Sequence, residues 1–155
     1  MDKEKVVIVG AGERLYSMWT TLVHLYHVHA ILDNKVNGLI SVGGGMEVHA
    51  VSDLMNYSFD KVLVMSMNYL LELRDQLLEL GVPSDCIIPY LGENRNLKRT
   101  DFFYDNDKVK FDNGQILFEL DEDSWNGGIT DVFFRNVYNF NLTGDTIVID
   151  IGANI

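Results

Sequence analysis

The run Lys5-Val-Val-Ile-Val-Gly-Ala-Gly12 constrains this chain more than any other stretch. Four β-forming residues in succession make a strand without a polar face, which suits the buried centre of a parallel sheet. Two glycines close the run, and Glu13, Arg14 and a helical pattern come next. This is the strand, turn and helix that open a parallel βαβ unit. In such a turn the first glycine permits the tight bend and the second lets a phosphate approach the backbone. The helix start adds unpaired N–H groups and a favourable dipole. Leu15 stands where a third glycine would complete the pattern, and Glu13 puts a carboxylate where a pyrophosphate would sit. Two readings therefore stand side by side: Gly10 and Gly12 contact a nucleotide, or the turn only joins strand to helix.

The residues that follow extend the unit. Leu15, Met18, Trp19, Leu22, Val23 and Tyr26 recur at three- and four-residue spacing and predict an amphipathic helix over 14–26. A second strand, His29 to Leu32, ends at Asp33, about twenty residues beyond the glycines. An acid there is placed to accept hydrogen bonds from ribose hydroxyls; Asp and Asn also simply end strands, so both roles stay open. His27 and His29 lie two apart with no third ligand near them in sequence, and no metal is assigned. Gly43-Gly44-Gly45 reads as a flexible turn. Met46 to Val51 and Lys61 to Met65 read as strands, with a brief helix over Leu54 to Tyr57 between them. Ser66 or Asn68 is expected to cap a helix whose stripe Leu70, Leu73, Leu77, Leu80 stops at Gly81 and Pro83. Cys86 to Tyr90 supplies a last short strand, with Pro89 at its end or on an edge. The expected fold class is α/β: a doubly wound parallel sheet, Rossmann-like, of about five strands, followed by a small α+β extension.

These residues carry a resemblance. Val-Gly-Ala-Gly, then Ile-Leu-Asp-Asn, an apolar strand, a helix ending Leu-Glu-Leu-Gly-Val-Pro and an Ile-Ile-Pro strand resemble the Rossmann-like domains attached to sugar-modifying enzymes. Among those are the N-terminal domains of sugar acyltransferases and the accessory domains of polysaccharide-cluster transferases. The resemblance covers about residues 5–91. It implies that Gly10, Gly12 and Asp33 contact a nucleotide or nucleotide sugar.

Residues 92–106 read as a polar linker, and the pattern then changes period. Lys108 to Phe111 and Gln115 to Leu120 flank Asp112-Asn113-Gly114, a strong hairpin signal. Asp121, Glu122 and Asp123 read as a solvated loop, and a helix is expected over 129–140. The chain closes on an apolar strand and Asp150-Ile-Gly152-Ala-Asn154-Ile155. With the hairpin and helix before it, this ending resembles the first motif of the FkbM-type S-adenosylmethionine-dependent methyltransferases. The resemblance implies that Asp150, Gly152 and Asn154 line a pocket for S-adenosylmethionine. It also implies that the 155 residues are the N-terminal part of a methyltransferase of sugar or polysaccharide biosynthesis, not competent by themselves. The β-branched run Thr146 to Ile151 is expected to pair with the hairpin or with a second copy, which favours a homodimer.

Charge and cysteine content bound the remaining options. The formal net charge of −11 argues against a nucleic-acid or anionic-membrane partner, since phosphate surfaces need clustered Lys and Arg. Residues 101–155 hold 3 basic and 11 acidic residues, against 9 and 12 in residues 1–100, which suggests a boundary near residue 100. Cys86 is the single cysteine and reads as a buried thiol rather than a nucleophile. No leader-like stretch opens the chain, so a cytoplasmic protein is expected. The alternatives to the methyltransferase reading are a nucleotide-sugar or dinucleotide-binding module in its own right and a scaffold that binds no ligand.

Overall fold

The computed structural model describes residues 3–66, 68–90, 102–106, 108–112 and 117–120. The strand before the glycines, β1 (Lys5–Val9), lies inside a six-stranded sheet. Helix α1 (Glu13–Leu25) returns the chain to β2 (His27–Leu32), which pairs with β1 in parallel. The two-residue strand β3 (Gly38–Leu39) runs antiparallel to β4 (Glu47–His49) at one edge. A 3₁₀ segment, Val51–Asn56, leads to β5 (Lys61–Val64) on the other side of β1. Helix α2 (Leu70–Glu79) then leads to β6 (Ile87–Pro89), parallel to β5. The strand order is β3-β4-β2-β1-β5-β6, and all pairings except β3 with β4 are parallel.

This is the expected Rossmann-like α/β sheet with one strand more than the sequence predicts. Gly38–Leu39 escapes notice because two residues carry no period. Pro89 sits in the terminal strand β6, where its missing N–H costs no ladder bond.

Alternation along the central strands sorts side chains to the two faces. Val6, Ile8 and Leu63 pack with Leu15 and Leu22 of α1, while Val7, Val9, Val62 and Val64 pack with Leu70, Leu73 and Leu77 of α2. Val23, assigned by spacing to the buried stripe of α1, is 38% exposed instead. Helix α2 ends as its sequence directs. Gly81 takes φ +88°, its N–H donates to the Leu78 carbonyl at 2.9 Å, and the Val82 N–H donates to the Leu77 carbonyl at 3.0 Å. These two bonds are a Schellman motif, for which a glycine with positive φ is the favoured residue.

A second, antiparallel sheet consists of β7 (Phe102–Asp105), β8 (Lys108–Asp112) and β9 (Leu117–Leu120). The pairing of β8 with β9 is the hairpin that the Asn-Gly signal predicts. Strand β7 occupies residues that the sequence reading gives to the linker, and Asn106, at φ 54°, takes part in its turn to β8. Asn tolerates that left-handed conformation better than most residues. Val109 of β8 is 1% exposed and joins the core cluster that holds Leu70, Leu73 and Leu77 of α2.

Candidate functional site

The carboxyl ends of β1, β2 and β5 converge where the parallel strand order reverses, the place at which open α/β sheets form a crevice. The two glycines of the first turn have different tasks there. Gly10 has φ +112°, and a Cβ built on it would lie 3.1 Å from the Ser66 backbone nitrogen. Glycine is required at that position by backbone conformation and by the close approach of the β5 end. Gly12 is the N-cap of α1 at φ −81°, ψ −175°, angles that any residue adopts. A Cβ there would meet nothing within 4 Å. Its missing side chain leaves open space at the helix start.

Asp33 fixes this turn. Its Oδ2 accepts the Ala11 N–H at 2.8 Å, and its Oδ1 accepts the N–H groups of Lys35 at 2.7 Å and Val36 at 2.8 Å. Burial alone would raise the carboxyl pKa, but the three backbone bonds and the Lys35 charge outweigh it and hold Asp33 below the usual carboxylate range. Its own N–H donates to the His49 carbonyl at 2.9 Å, so the loop after β2 is tied to β4 as well.

A cavity of about 500 Å³ opens in front of these groups. The first turn contributes Gly10, Gly12, Glu13 and Arg14, and the loop after β2 contributes Asp33 to Val36. Met65, Ser66 and Asn68 come from the end of β5, and Tyr69, Glu72 and Leu73 from the start of α2. The two walls touch across the cavity. Asn34 Nδ2 donates to Gln76 Oε1 at 2.8 Å, Gln76 Nε2 donates to Asn34 Oδ1 at 3.2 Å, and Lys35 Nζ lies 4.7 Å from the Tyr69 ring centre. Burial pushes the Arg14 guanidinium below its usual value, with Tyr90 opposing the shift. Cations at Arg14 and Lys35 and carboxylates at Glu13 and Glu72 thus share one cavity with an aromatic ring.

Gly10, Gly12 and Asp33 are brought together as the sequence spacing suggests. Arg14, Lys35, Tyr69 and Glu72 were not singled out by that reading. Lys35 could have been found from its place two residues after the acid. Tyr69 and Glu72 belong to the first turn of α2, which the sequence reading starts at Ser66 or Asn68; the N-cap is Tyr69. Asp150, Gly152 and Asn154 lie outside the described residues. Val42–Gly44 form a 3₁₀ turn away from the cavity. His27 and His29 stack edge to face at 4.8 Å, and among the described residues no three His, Cys, Asp or Glu side chains are grouped to hold a metal ion. Cys86 is half-buried against the core. Among the described residues no helix is long and apolar enough to cross a membrane.

Comparison with known proteins places residues 2–88 in the N-terminal domain of the C2185-like family, and the chain belongs to that family. No curated protein matches it. Among solved structures, UDP-D-quinovosamine 4-dehydrogenase from Vibrio fischeri is similar at 20% identity with a TM-score of 0.45, over 81% of this chain and 99% of that one.

Proposed function

We propose that this C2185-like domain binds a nucleotide or nucleotide sugar in the cavity at the carboxyl ends of β1, β2 and β5. The observation that carries the reading is Gly12. Neither its backbone angles nor any neighbour within 4 Å calls for glycine, yet it borders the cavity at the helix start. A residue without a side chain there is accounted for by a phosphate seated against the backbone N–H groups of α1. Arg14 and Lys35 supply positive charge on the same rim, which offsets Glu13.

The parent activity is a finer part of the same proposal. The Asp150 to Ile155 motif supports a methyltransferase of sugar or polysaccharide biosynthesis that uses this domain as an accessory or ligand-binding module. In that reading Asp150, Gly152 and Asn154 belong to the S-adenosylmethionine site of the parent enzyme, separate from the cavity at the glycine turn.

Calorimetric titration of the 155-residue chain with ADP, UDP, UDP-glucose, NAD and S-adenosylmethionine tests both parts. At least one of the first four is expected to bind, and Gly12→Thr should weaken it at least about tenfold while leaving Tm unchanged, since Thr caps helices about as well as Gly. Gly10→Ala should instead lower Tm through its backbone conformation. Silence from all four nucleotides, or a Gly12→Thr variant that binds like the wild type, would overturn the reading. Tight stoichiometric binding of S-adenosylmethionine would make the glycine turn itself the cofactor site.

A further inference from the structure

Asp33 is the acid that this fold offers to a ribose, and its oxygens are already committed. Oδ1 accepts two backbone N–H groups and Oδ2 accepts a third. A carboxylate has about four acceptor positions, two on each oxygen, so Oδ1 is filled and one position remains on Oδ2. Two neighbouring hydroxyls cannot both donate to Asp33 unless the turn at Ala11 or the loop at Lys35 lets go.

The opposite wall has what Asp33 lacks. Glu72, in the first turn of α2, is exposed and lines the cavity. Among the described residues no hydrogen bond or ion pair engages its carboxylate. Tyr69 stands three residues earlier, lines the same cavity, and is 44% exposed. Its ring is approached by the Lys35 ammonium, which also donates to Tyr69 Oη at 3.4 Å. An exposed aromatic face beside a free carboxylate suits a flat ring carrying a sugar. The ring stacks on the aromatic face, and the hydroxyls donate to the acid.

We propose that Glu72 accepts the vicinal ribose hydroxyls of the ligand, that Tyr69 is the platform for its base, and that Asp33 is a positioning residue which holds the glycine turn. This rests on the nucleotide reading above and deepens it: the ligand is a ribonucleotide with free 2′ and 3′ hydroxyls, read by α2 rather than by the end of β2. The Lys35 ammonium yields the Tyr69 face to the base and moves towards the phosphates.

Calorimetry with ADP and UDP against their 2′-deoxy counterparts separates the roles. The wild type is expected to prefer the ribonucleotide about tenfold, the usual effect of one hydrogen bond to a charged group. Glu72→Ala, at an exposed helical position, should bring that ratio close to one. Asp33→Asn should weaken ribo and deoxy forms alike, keep the ratio, and lower Tm. The inference is overturned if the wild type does not discriminate, if Glu72→Ala keeps the ratio even with a lowered Tm, or if Asp33→Asn alone removes it. Failure of every nucleotide to bind the wild type would instead remove the nucleotide reading, and this inference with it.

Discussion

The two faces of the parallel sheet are covered by different means. On one, α1 lays Leu15 and Leu22 over Val6, Ile8, Ile31 and Leu63, and the cluster ends with Tyr90. On the other, α2 and the 3₁₀ segment Val51–Asn56 cover Val7, Val9, Val62 and Val64, and the cluster also takes in Val109, with Tyr104 packed against it. Among the described residues, the first face is therefore completed within residues 3–90. The second draws on the antiparallel sheet, beyond the stretch 2–88 that the family match covers. Val109 of β8 and Tyr104 of β7 thus help to close the face that α2 covers.

That closure bears on the cavity. Tyr104 Oη donates to the Leu70 carbonyl at 3.1 Å, and the Arg74 guanidinium lies 5.6 Å from the Tyr104 ring centre. Burial pushes the Tyr104 phenol above its usual value, while Arg74 opposes the shift. The antiparallel sheet thus grips the helix whose first turn forms one wall of the cavity. The grip and the ligand wall are two surfaces of one short helix.

The largest effect on the second face is expected at Val109. Val109→Ala removes apolar volume from a site 1% exposed and should cost about 2 kcal/mol in equilibrium unfolding. Leu39→Ala, at a strand-edge residue 78% exposed, should change stability by less than about 0.5 kcal/mol. If Val109→Ala behaves like Leu39→Ala in denaturant titrations, the second face does not depend on the antiparallel sheet.

A smaller effect is expected at Tyr104. Tyr104→Phe keeps the ring against α2 and removes the bond to the Leu70 carbonyl, a loss of about 1 kcal/mol. Because Tyr104 and Val109 serve the same face, the double variant should depart from additivity, whereas Tyr104→Phe combined with Leu22→Ala should not. Strict additivity in both pairs would mean that Tyr104 and Val109 act on that face independently of each other.

Much of this was legible in the sequence, for reasons that also mark where legibility stops. The run Lys5 to Gly12 announces β1 and its turn because burial on both sides demands unbroken apolar residues, and Gly81 with Pro83 announces the end of α2 because that geometry needs positive φ. Gly38–Leu39 was hidden, since two residues cannot display a period. The start of α2 was misplaced because Ser66 and Asn68 look like caps; Ser66 instead closes on Gly10 at the end of β5. The entry of Val109 into the core of the parallel sheet has no local signal, because alternation along β8 shows that one face is covered and not what covers it. At the site, spacing located Gly10, Gly12 and Asp33. The commitment of the Asp33 oxygens was invisible, because it depends on where the backbone N–H groups of Ala11, Lys35 and Val36 point.

The last effect is a pH dependence confined to the acid range. Asp33 has a folded pKa below its unfolded value of about 3.9, so the stability it contributes is complete above the unfolded value. That stability is lost as pH falls through the folded pKa. Asp33→Asn should therefore flatten the stability profile below about pH 4 relative to wild type, measured as denaturant midpoints at a series of pH values. The bonds of Asp33 join the β1 turn to the loop after β2, and no residue of the antiparallel sheet takes part in them. The acid sensitivity should hence be the same in the Val109→Ala background as in wild type, displaced by a constant. A Val109→Ala protein whose acid profile changes shape would show that the carboxyl ends of β1 and β2 respond to how the α2 face is closed.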